Sequence, residues 1–186
     1  MDLEQQWFDD YYNGKLSFKK WNDNAQFYYL KNKLTKDFYI SELKKFTINP
    51  EAFPLIKFLK DNQIKTAIIS SGLDFYVNLT ANKLGIDYTR ANYSFIFDKN
   101  GKFNRLKYDY EDPIAKTFHI KEICQMLKVK PTESIYVGDD INDLEAFKLT
   151  KHGLLYKKSH RLLEKFCWKK IDNLMEIKNL INRQEI

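Results

Sequence analysis

The spacing of hydrophobic positions divides the chain into two parts near residue 49. In the first part apolar residues recur every three or four positions, which predicts amphipathic helices and no strand. Asn49-Pro50 is a turn signal and marks the predicted boundary. We therefore expect a helical lobe at residues 1–49 and a second domain at 50–186. The positions predicted to form the apolar faces of the helices are Phe18, Trp21, Ala25, Tyr28, Phe27, Leu30, Leu34, Phe38, Ile40, Leu43 and Phe46.

The second part alternates between helical and strand patterns. This alternation predicts an α/β fold, with a parallel sheet that helices cover on both faces. Asn100-Gly101 between two apolar runs predicts one hairpin. The predicted helices are 51–62, 74–84, 114–127, one with helical spacing over 142–147, 159–166 and one from Asp172 onward; the predicted strands are 64–70, 93–97, 102–103, 134–137, 153–156 and one near 167–171.

Composition excludes several classes of function. The chain has 186 residues, is 44% apolar and carries a net charge of +6. Its lysines are scattered along the predicted helices rather than gathered in a stripe, so we expect no nucleic-acid binding but some attraction for small anions. No apolar run approaches the ~18 residues of a membrane span, so we expect no membrane association. Cys124 and Cys167 lack a metal-binding spacing, which favours buried free thiols and a cytoplasmic protein.

An acidic turn follows the predicted strand 134–137. Gly138 is expected to let the chain turn sharply, and three carboxylates follow within five residues, at Asp139, Asp140 and Asp143. Carboxylates at the carboxyl end of a parallel strand suit Mg²⁺. The alternative is a solvated turn in which Asp140 or Asn142 caps the next helix.

Two further features lie where phosphate chemistry would need them. Ser70-Ser71-Gly72 ends the predicted strand 64–70 before a helix, and a hydroxyl, a glycine and a helix start together can hold an anion. The alternative is an N-cap serine followed by a glycine turn. Lys116 lies near the start of the helix 114–127, where a cation gains from an anionic partner. The alternative is an ordinary surface lysine.

Together these segments resemble the haloacid dehalogenase superfamily, in its phosphoserine-phosphatase-like branch. Thr66–Ser70 is similar to the family's second motif, Lys116 to its third, and Gly138–Asp143 to its fourth. The helical segment from about Asn13 to Phe46 looks like the family's cap. The resemblance implies a Rossmann-like parallel sheet with a small helical cap. It also implies Mg²⁺-dependent hydrolysis of a small phosphorylated metabolite, and it leaves the oligomeric state open.

The resemblance implies a role for each matched residue. Lys116 would act catalytically by neutralising charge on the phosphoryl group. Asp139 would bind Mg²⁺ directly, while Asp143 would orient Lys116 and the water shell of the metal. The residues expected around the phosphate are Ser70, Ser71, Gly72 and Asn142, and Asp140 is an additional candidate at the metal.

One family motif has no match in the chain. The family's nucleophile is an aspartate in an Asp-x-Asp-x-Thr sequence after the first core strand; Phe8-Asp9-Asp10-Tyr11 has no such strand before it. We therefore expect an N-terminally truncated reading of a phosphatase. The alternatives are a non-catalytic protein that binds phosphate and Mg²⁺, or an inactive fragment. No arginine occurs from Met1 to Thr89, so phosphoserine specificity is not predicted.

Overall fold

A computed structural model describes residues 3–157 and 160–183, and the chain forms two compact units. The smaller unit takes the residues up to Phe46 together with Tyr93–Glu111. The larger takes Thr47–Asn92 and the residues from Asp112 onward. The predicted boundary near residue 49 did not assign the segment Tyr93–Glu111 to the helical part.

Three helices and a hairpin form the smaller unit. Its elements are α1 (Leu3–Tyr12), α2 (Phe18–Lys31), α3 (Lys36–Leu43), the second half of β2 (Tyr88–Phe97) and β3 (Phe103–Tyr108). The two strands are antiparallel, as the sequence predicted, and the turn between them uses Gly101 at φ 73°. Ser17 and Thr35 cap α2 and α3 by accepting main-chain N–H bonds.

Aromatic rings explain why the hairpin packs with the helices. The ring of Tyr29 lies edge-on to Phe95 at 4.8 Å and to Phe103 at 5.5 Å between centroids. Tyr39 packs on the same Phe95 at 5.0 Å. Phe18, Ala25 and Leu43 of the predicted apolar faces are buried, but Tyr29 and Tyr39 take part in the packing in place of other predicted positions. Phe27 and Phe38, expected in the core, are 66% and 58% exposed.

The larger unit is an α/β domain, which confirms the predicted fold class. The described residues form two sheets with the strand orders β1-β2-β3 and β4-β5-β6; the second lies wholly in this unit and is parallel throughout. The elements of this unit are α4 (Ala52–Asp61), β1 (Ala67–Leu73), α5 (Asp74–Leu84), the first half of β2, α6 (Ala115–Leu127), β4 (Tyr136–Gly138), α7 (Leu144–Thr150), β5 (Gly153–Tyr156), β6 (Lys169–Ile171) and α8 (Glu176–Asn182).

Strand β5 has both faces covered, as a central strand of a parallel sheet requires. Leu154 and Leu155 are fully buried and point to opposite sides. Leu154 packs in a cluster with α4 and α8, and Leu155 packs with Phe147 of α7. A third cluster places Ile69 of β1 and Tyr136 of β4 against α6 and α7. The two strands thus share a helical cover although they belong to different sheets.

Three predicted elements of the larger unit were wrong in extent. The helix predicted at 159–166 is one 3₁₀ turn at Leu163–Lys165; Ser159, where the prediction began, lies outside the described residues. The last helix begins at Glu176, because the Glu176 carboxylate accepts the N–H groups of Asp172 and Asn173 and closes a turn before it. β1 starts three residues late and is half-exposed, since it is the end strand of its sheet.

The structure bears on the expected absence of membrane helices and on the state of the two cysteines. Within the described residues no helix is long and apolar enough to cross a membrane. Cys124 and Cys167 are both free thiols; Cys124 is buried, but Cys167 is only half-buried.

Candidate functional site

The carboxylate of Asp143 is the centre of the acidic turn. After β4 ends at Gly138, the chain forms a 3₁₀ turn at Ile141–Asp143 that leads into α7. Asp143 is buried, and its Oδ2 accepts the N–H groups of Asp139 at 2.9 Å and of Asp140 at 3.2 Å. Its Oδ1 accepts from the Tyr136 hydroxyl at 2.7 Å and from Lys116 Nζ at 2.5 Å. Four donors therefore occupy this carboxylate, which leaves it no open position for direct metal binding.

Gly138 is required for space rather than for a left-handed backbone. The sequence suggested a sharp turn, but Gly138 is not among the glycines with positive φ. A Cβ at this position would lie 2.5 Å from Cγ of Asp143. Only glycine therefore lets the Asp143 carboxylate pack against the end of β4.

Lys116 is a buried lysine with two anchored contacts, so it is not an ordinary surface residue. It lies in the first turn of α6 and only 7% of it is exposed. Besides its bond to Asp143, its ammonium group donates to Oδ1 of Asn142 at 2.9 Å. Because Oδ1 of Asn142 accepts from Lys116, the amide N–H groups of Asn142 are the part left to meet an anion.

The other two acidic residues of the turn differ in what they do. Oδ1 of Asp140 accepts the N–H of Ile141 at 2.6 Å, so Asp140 caps the 3₁₀ turn and not α7, whose N-cap is Asp143 and not Asp140 or Asn142. Asp139 is exposed, and its side chain accepts no hydrogen bond from another residue among 3–157 and 160–183. Partial burial of its carboxyl, together with the charges of Asp143 and Asp140, raises the pKa of Asp139 above its usual value. Lys116 only partly offsets this effect.

The residues Ser70, Ser71 and Gly72 lie within β1 and not after it, because the strand continues to Leu73. The N-cap of α5 is Leu73, which excludes the interpretation of a serine cap. The N–H of Gly72 donates to the Ser70 hydroxyl oxygen at 2.9 Å. The Ser70 O–H is therefore free to donate to a further acceptor, whereas the Ser71 hydroxyl lies 2.8 Å from Oδ1 of Asp112.

Sequence reasoning missed two residues of this region, Asp112 and Tyr136. Asp112 is buried before α6 and contacts Ser71. In the sequence Asp112 is one of three acids in the short segment 109–112 before Pro113, and nothing there singles it out as a site residue. Tyr136 was read as part of an apolar strand. Burial of its hydroxyl and the neighbouring Asp143 charge raise the pKa of Tyr136 well above its usual value, so it serves as a hydrogen-bond donor.

The acidic turn offers one open ligand to a metal ion. Across the part of the chain that the structure describes, no group of three or more His, Cys, Asp or Glu side chains could hold a metal. Asp139 is the one acid of the turn whose carboxylate accepts no hydrogen bond from another described residue. Mg²⁺ is often held by one or two carboxylates while water and phosphate oxygens fill its other positions. The residues of the turn fit Mg²⁺ only if Asp139 is its protein ligand and water and phosphate oxygens fill the other positions.

The sequence is similar to those of several proteins of known identity. A phosphoserine phosphatase of Albidiferax ferrireducens is 32% identical over 106 residues, which cover 54% of this chain and 44% of that protein. Pdp3-interacting factor 1 of Schizosaccharomyces pombe is 28% identical over 174 residues, or 90% of this chain and 72% of that protein. Against the phosphoserine phosphatases it matches, the chain spans about half of their length.

The fold of the chain is also similar to that of solved structures. A solved structure of a phospho-aspartyl intermediate analogue of phosphoserine phosphatase superposes with a TM-score of 0.79. That match covers 95% of this chain and 83% of the other, at 24% identity. The family model of haloacid dehalogenase-like hydrolases matches residues 3–149, which include every residue of the site described above. The chain therefore belongs to the haloacid dehalogenase-like hydrolase family.

Proposed function

We propose that this protein is a Mg²⁺-dependent phosphomonoesterase that acts on a small phosphorylated metabolite in the cytoplasm. The observation that carries the proposal is the buried Lys116, which Asp143 and Asn142 hold in place and whose charge acts on the nearby carboxyl of Asp139. Burial of an ion pair such as Lys116 and Asp143 carries a large desolvation cost, which a role for the ammonium group in ligand binding would explain. Phosphoryl transfer uses such an arrangement, because its main demands are positioning and positive charge around the phosphoryl oxygens.

Each proposed role follows from the hydrogen-bond donors that a residue does not use within the protein. The Lys116 ammonium has three N–H groups, and its contacts with Asp143 and Asn142 use two of them. The third can bind a phosphoryl oxygen, as can the Ser70 hydroxyl and the Asn142 amide. Asp139 would hold Mg²⁺, which supplies positive charge to the phosphoryl group when bound.

The proposal needs a nucleophile that the described residues do not present. Asp143 is saturated with donors, Asp140 caps a turn, and Asp112 is paired with Ser71. The similar phosphoserine phosphatase structure contains an analogue of a phospho-aspartyl intermediate. We propose that the corresponding aspartate lies on a strand outside residues 1–186 that pairs between β1 and β4. In support, β1 and β4 are the end strands of separate sheets and share the cover of α6 and α7.

A second candidate function is binding of phosphate and Mg²⁺ without turnover. The absence of an available nucleophile among 3–157 and 160–183 favours it for the chain taken alone. Both functions predict that inorganic phosphate binds, and they differ only in catalysis.

Hydrolysis of p-nitrophenyl phosphate in MgCl₂ separates the two functions. We expect no turnover from residues 1–186 alone, and turnover once a preceding in-frame segment with an Asp-x-Asp-x-Thr strand is included. Asp139→Asn should abolish that turnover. An active extended protein that is indifferent to Asp139→Asn and to removal of Mg²⁺ would exclude the phosphomonoesterase proposal in this form.

A further inference from the structure

Asp112 occupies a position that the proposed roles do not explain. It is only 2% exposed, although it is a charged residue outside any helix or strand. Its Oδ1 lies 2.8 Å from the hydroxyl oxygen of Ser71, next to the proposed phosphate donor Ser70. Four residues further along the chain is Lys116, whose charge acts on the Asp112 carboxyl. Burial of a carboxyl group costs folding free energy unless the group is hydrogen-bonded or paired with a charge.

The opposite end of β1 has a similar contact that serves stability. There the carboxylate of Asp87 accepts the hydroxyl of Thr66 at 2.8 Å and its N–H at 3.0 Å. Each end of β1 is thus tied by a carboxylate to a hydroxyl residue. Only the Asp112 contact lies next to residues that we propose bind phosphate. Loss of the Asp112 contact should therefore affect phosphate binding, whereas loss of the Asp87 contact should not.

We infer that Asp112 is a positioning residue of the phosphate site, an inference that rests on the proposed function. The Ser71 hydroxyl donates its proton to Asp112, so it does not donate to phosphate. This bond instead fixes the end of β1, and with it Ser70, to the segment that leads into α6 and Lys116. Asp112 thereby sets the distance between two phosphate donors that lie on different elements. This assigns Ser71 an anchoring role in place of the phosphate contact predicted from the sequence.

Binding of inorganic phosphate in MgCl₂, measured by isothermal titration calorimetry on the 186-residue chain, tests the inference. Asp112→Ala and Ser71→Ala should each weaken phosphate binding about tenfold, the effect of about one hydrogen bond. Because both substitutions remove the Ser71–Asp112 contact, the double variant should bind phosphate no more weakly than either single variant. Asp112→Asn should bind within about threefold of the unsubstituted chain, since its amide oxygen still accepts from Ser71.

Asp87→Ala is the matched control. It removes a carboxylate–hydroxyl contact from the other end of β1, so it should lower the melting temperature and leave phosphate affinity unchanged. The titrations are run well below the melting temperature of every variant, so that loss of folded protein does not lower the affinity. Equal losses of affinity in Asp87→Ala and Asp112→Ala would show a merely structural role and overturn the inference.

The remaining outcomes separate the inference from the proposed function. If Ser70→Ala weakens phosphate binding while Ser71→Ala and Asp112→Ala do not, the inference fails and the proposed site stands. If Asp112→Asn is as weak as Asp112→Ala, charge and not anchoring is what matters, and the inference also fails. If the unsubstituted chain binds no phosphate, the proposed function fails and the inference falls with it.

Discussion

Substitution of Lys116 by methionine tests whether the buried ion pair has the structure described. Methionine keeps most of the side-chain volume and removes the charge, so Asp143 would stay buried without its cationic partner. The side chains of Lys116 and Asp143 are only 8% and 5% exposed, and their charged atoms are 2.5 Å apart. Loss of one partner from such a pair costs about 3–5 kcal/mol. For a chain of this length that corresponds to a fall of roughly 6–20 °C in melting temperature.

The control is the same substitution at an exposed pair. Lys57 lies 2.7 Å from Asp61 on α4, but these side chains are 76% and 59% exposed. Lys57→Met should therefore cost less than ~1 kcal/mol. Thermal denaturation followed by circular dichroism measures both variants. A fall in the Lys116→Met variant no larger than in the Lys57→Met variant would refute the buried pair.

A double variant separates the lost attraction from other effects of methionine. Asp143→Asn removes the charge that Lys116→Met leaves behind, while an amide can still accept the N–H groups of the turn. The double variant should therefore be less destabilised than the sum of the two single ones, by about 0.5–3 kcal/mol. Additive losses would mean that the two side chains do not interact.

Three further predictions concern neighbouring residues. Gly138→Ala should destabilise the protein by about 1–3 kcal/mol, because its Cβ would displace Asp143; urea denaturation checks this. MgCl₂ should raise the melting temperature of the unsubstituted chain but not of Asp139→Asn, and equal shifts in differential scanning fluorimetry would contradict the role of Asp139. Two asparagine substitutions should change the pH dependence of stability in opposite directions. Although burial opposes it, hydrogen bonds from Thr66 and Lys65 lower the pKa of Asp87, so its stabilising effect should disappear in Asp87→Asn and, in the unsubstituted chain, fade as pH falls below about 4. Burial raises the pKa of Asp112, so Asp112→Asn should gain stability relative to the unsubstituted chain as pH rises above about 4.

Local signals made parts of the fold predictable. The helix predicted at 74–84 is observed as α5 with the same bounds, and Gly85 ends it in the left-handed conformation. β5 was also predicted at its observed bounds. In both cases a short apolar pattern and a nearby turn residue decide the structure without help from distant parts of the chain.

Long-range contacts decided what the sequence did not show. Spacing gave α2 an apolar face that included Phe27, but packing with Phe95 and Phe103 instead selects Tyr29. The requirement for glycine at Gly138 comes from a carboxylate five residues away, whereas local reasoning attributed it to a turn. The pairing of Ser71 with Asp112 spans 41 residues and has no periodic pattern.

The charge balance of the site has a consequence for the proposed binding of Mg²⁺ and phosphate. The motif alone showed three acids at equal standing, Asp139, Asp140 and Asp143. Hydrogen bonds distinguish them, because Asp143 accepts four donors, Asp140 caps a turn, and Asp139 accepts none from another described residue. Among the described residues of the site, the carboxylates of these three acids and of Asp112 outnumber the one lysine, Lys116, so a phosphate dianion alone would add negative charge to a region that is already negative. A divalent cation at Asp139 reverses that balance. We therefore expect the binding of Mg²⁺ and of phosphate to be coupled, so that each binds more tightly in the presence of the other.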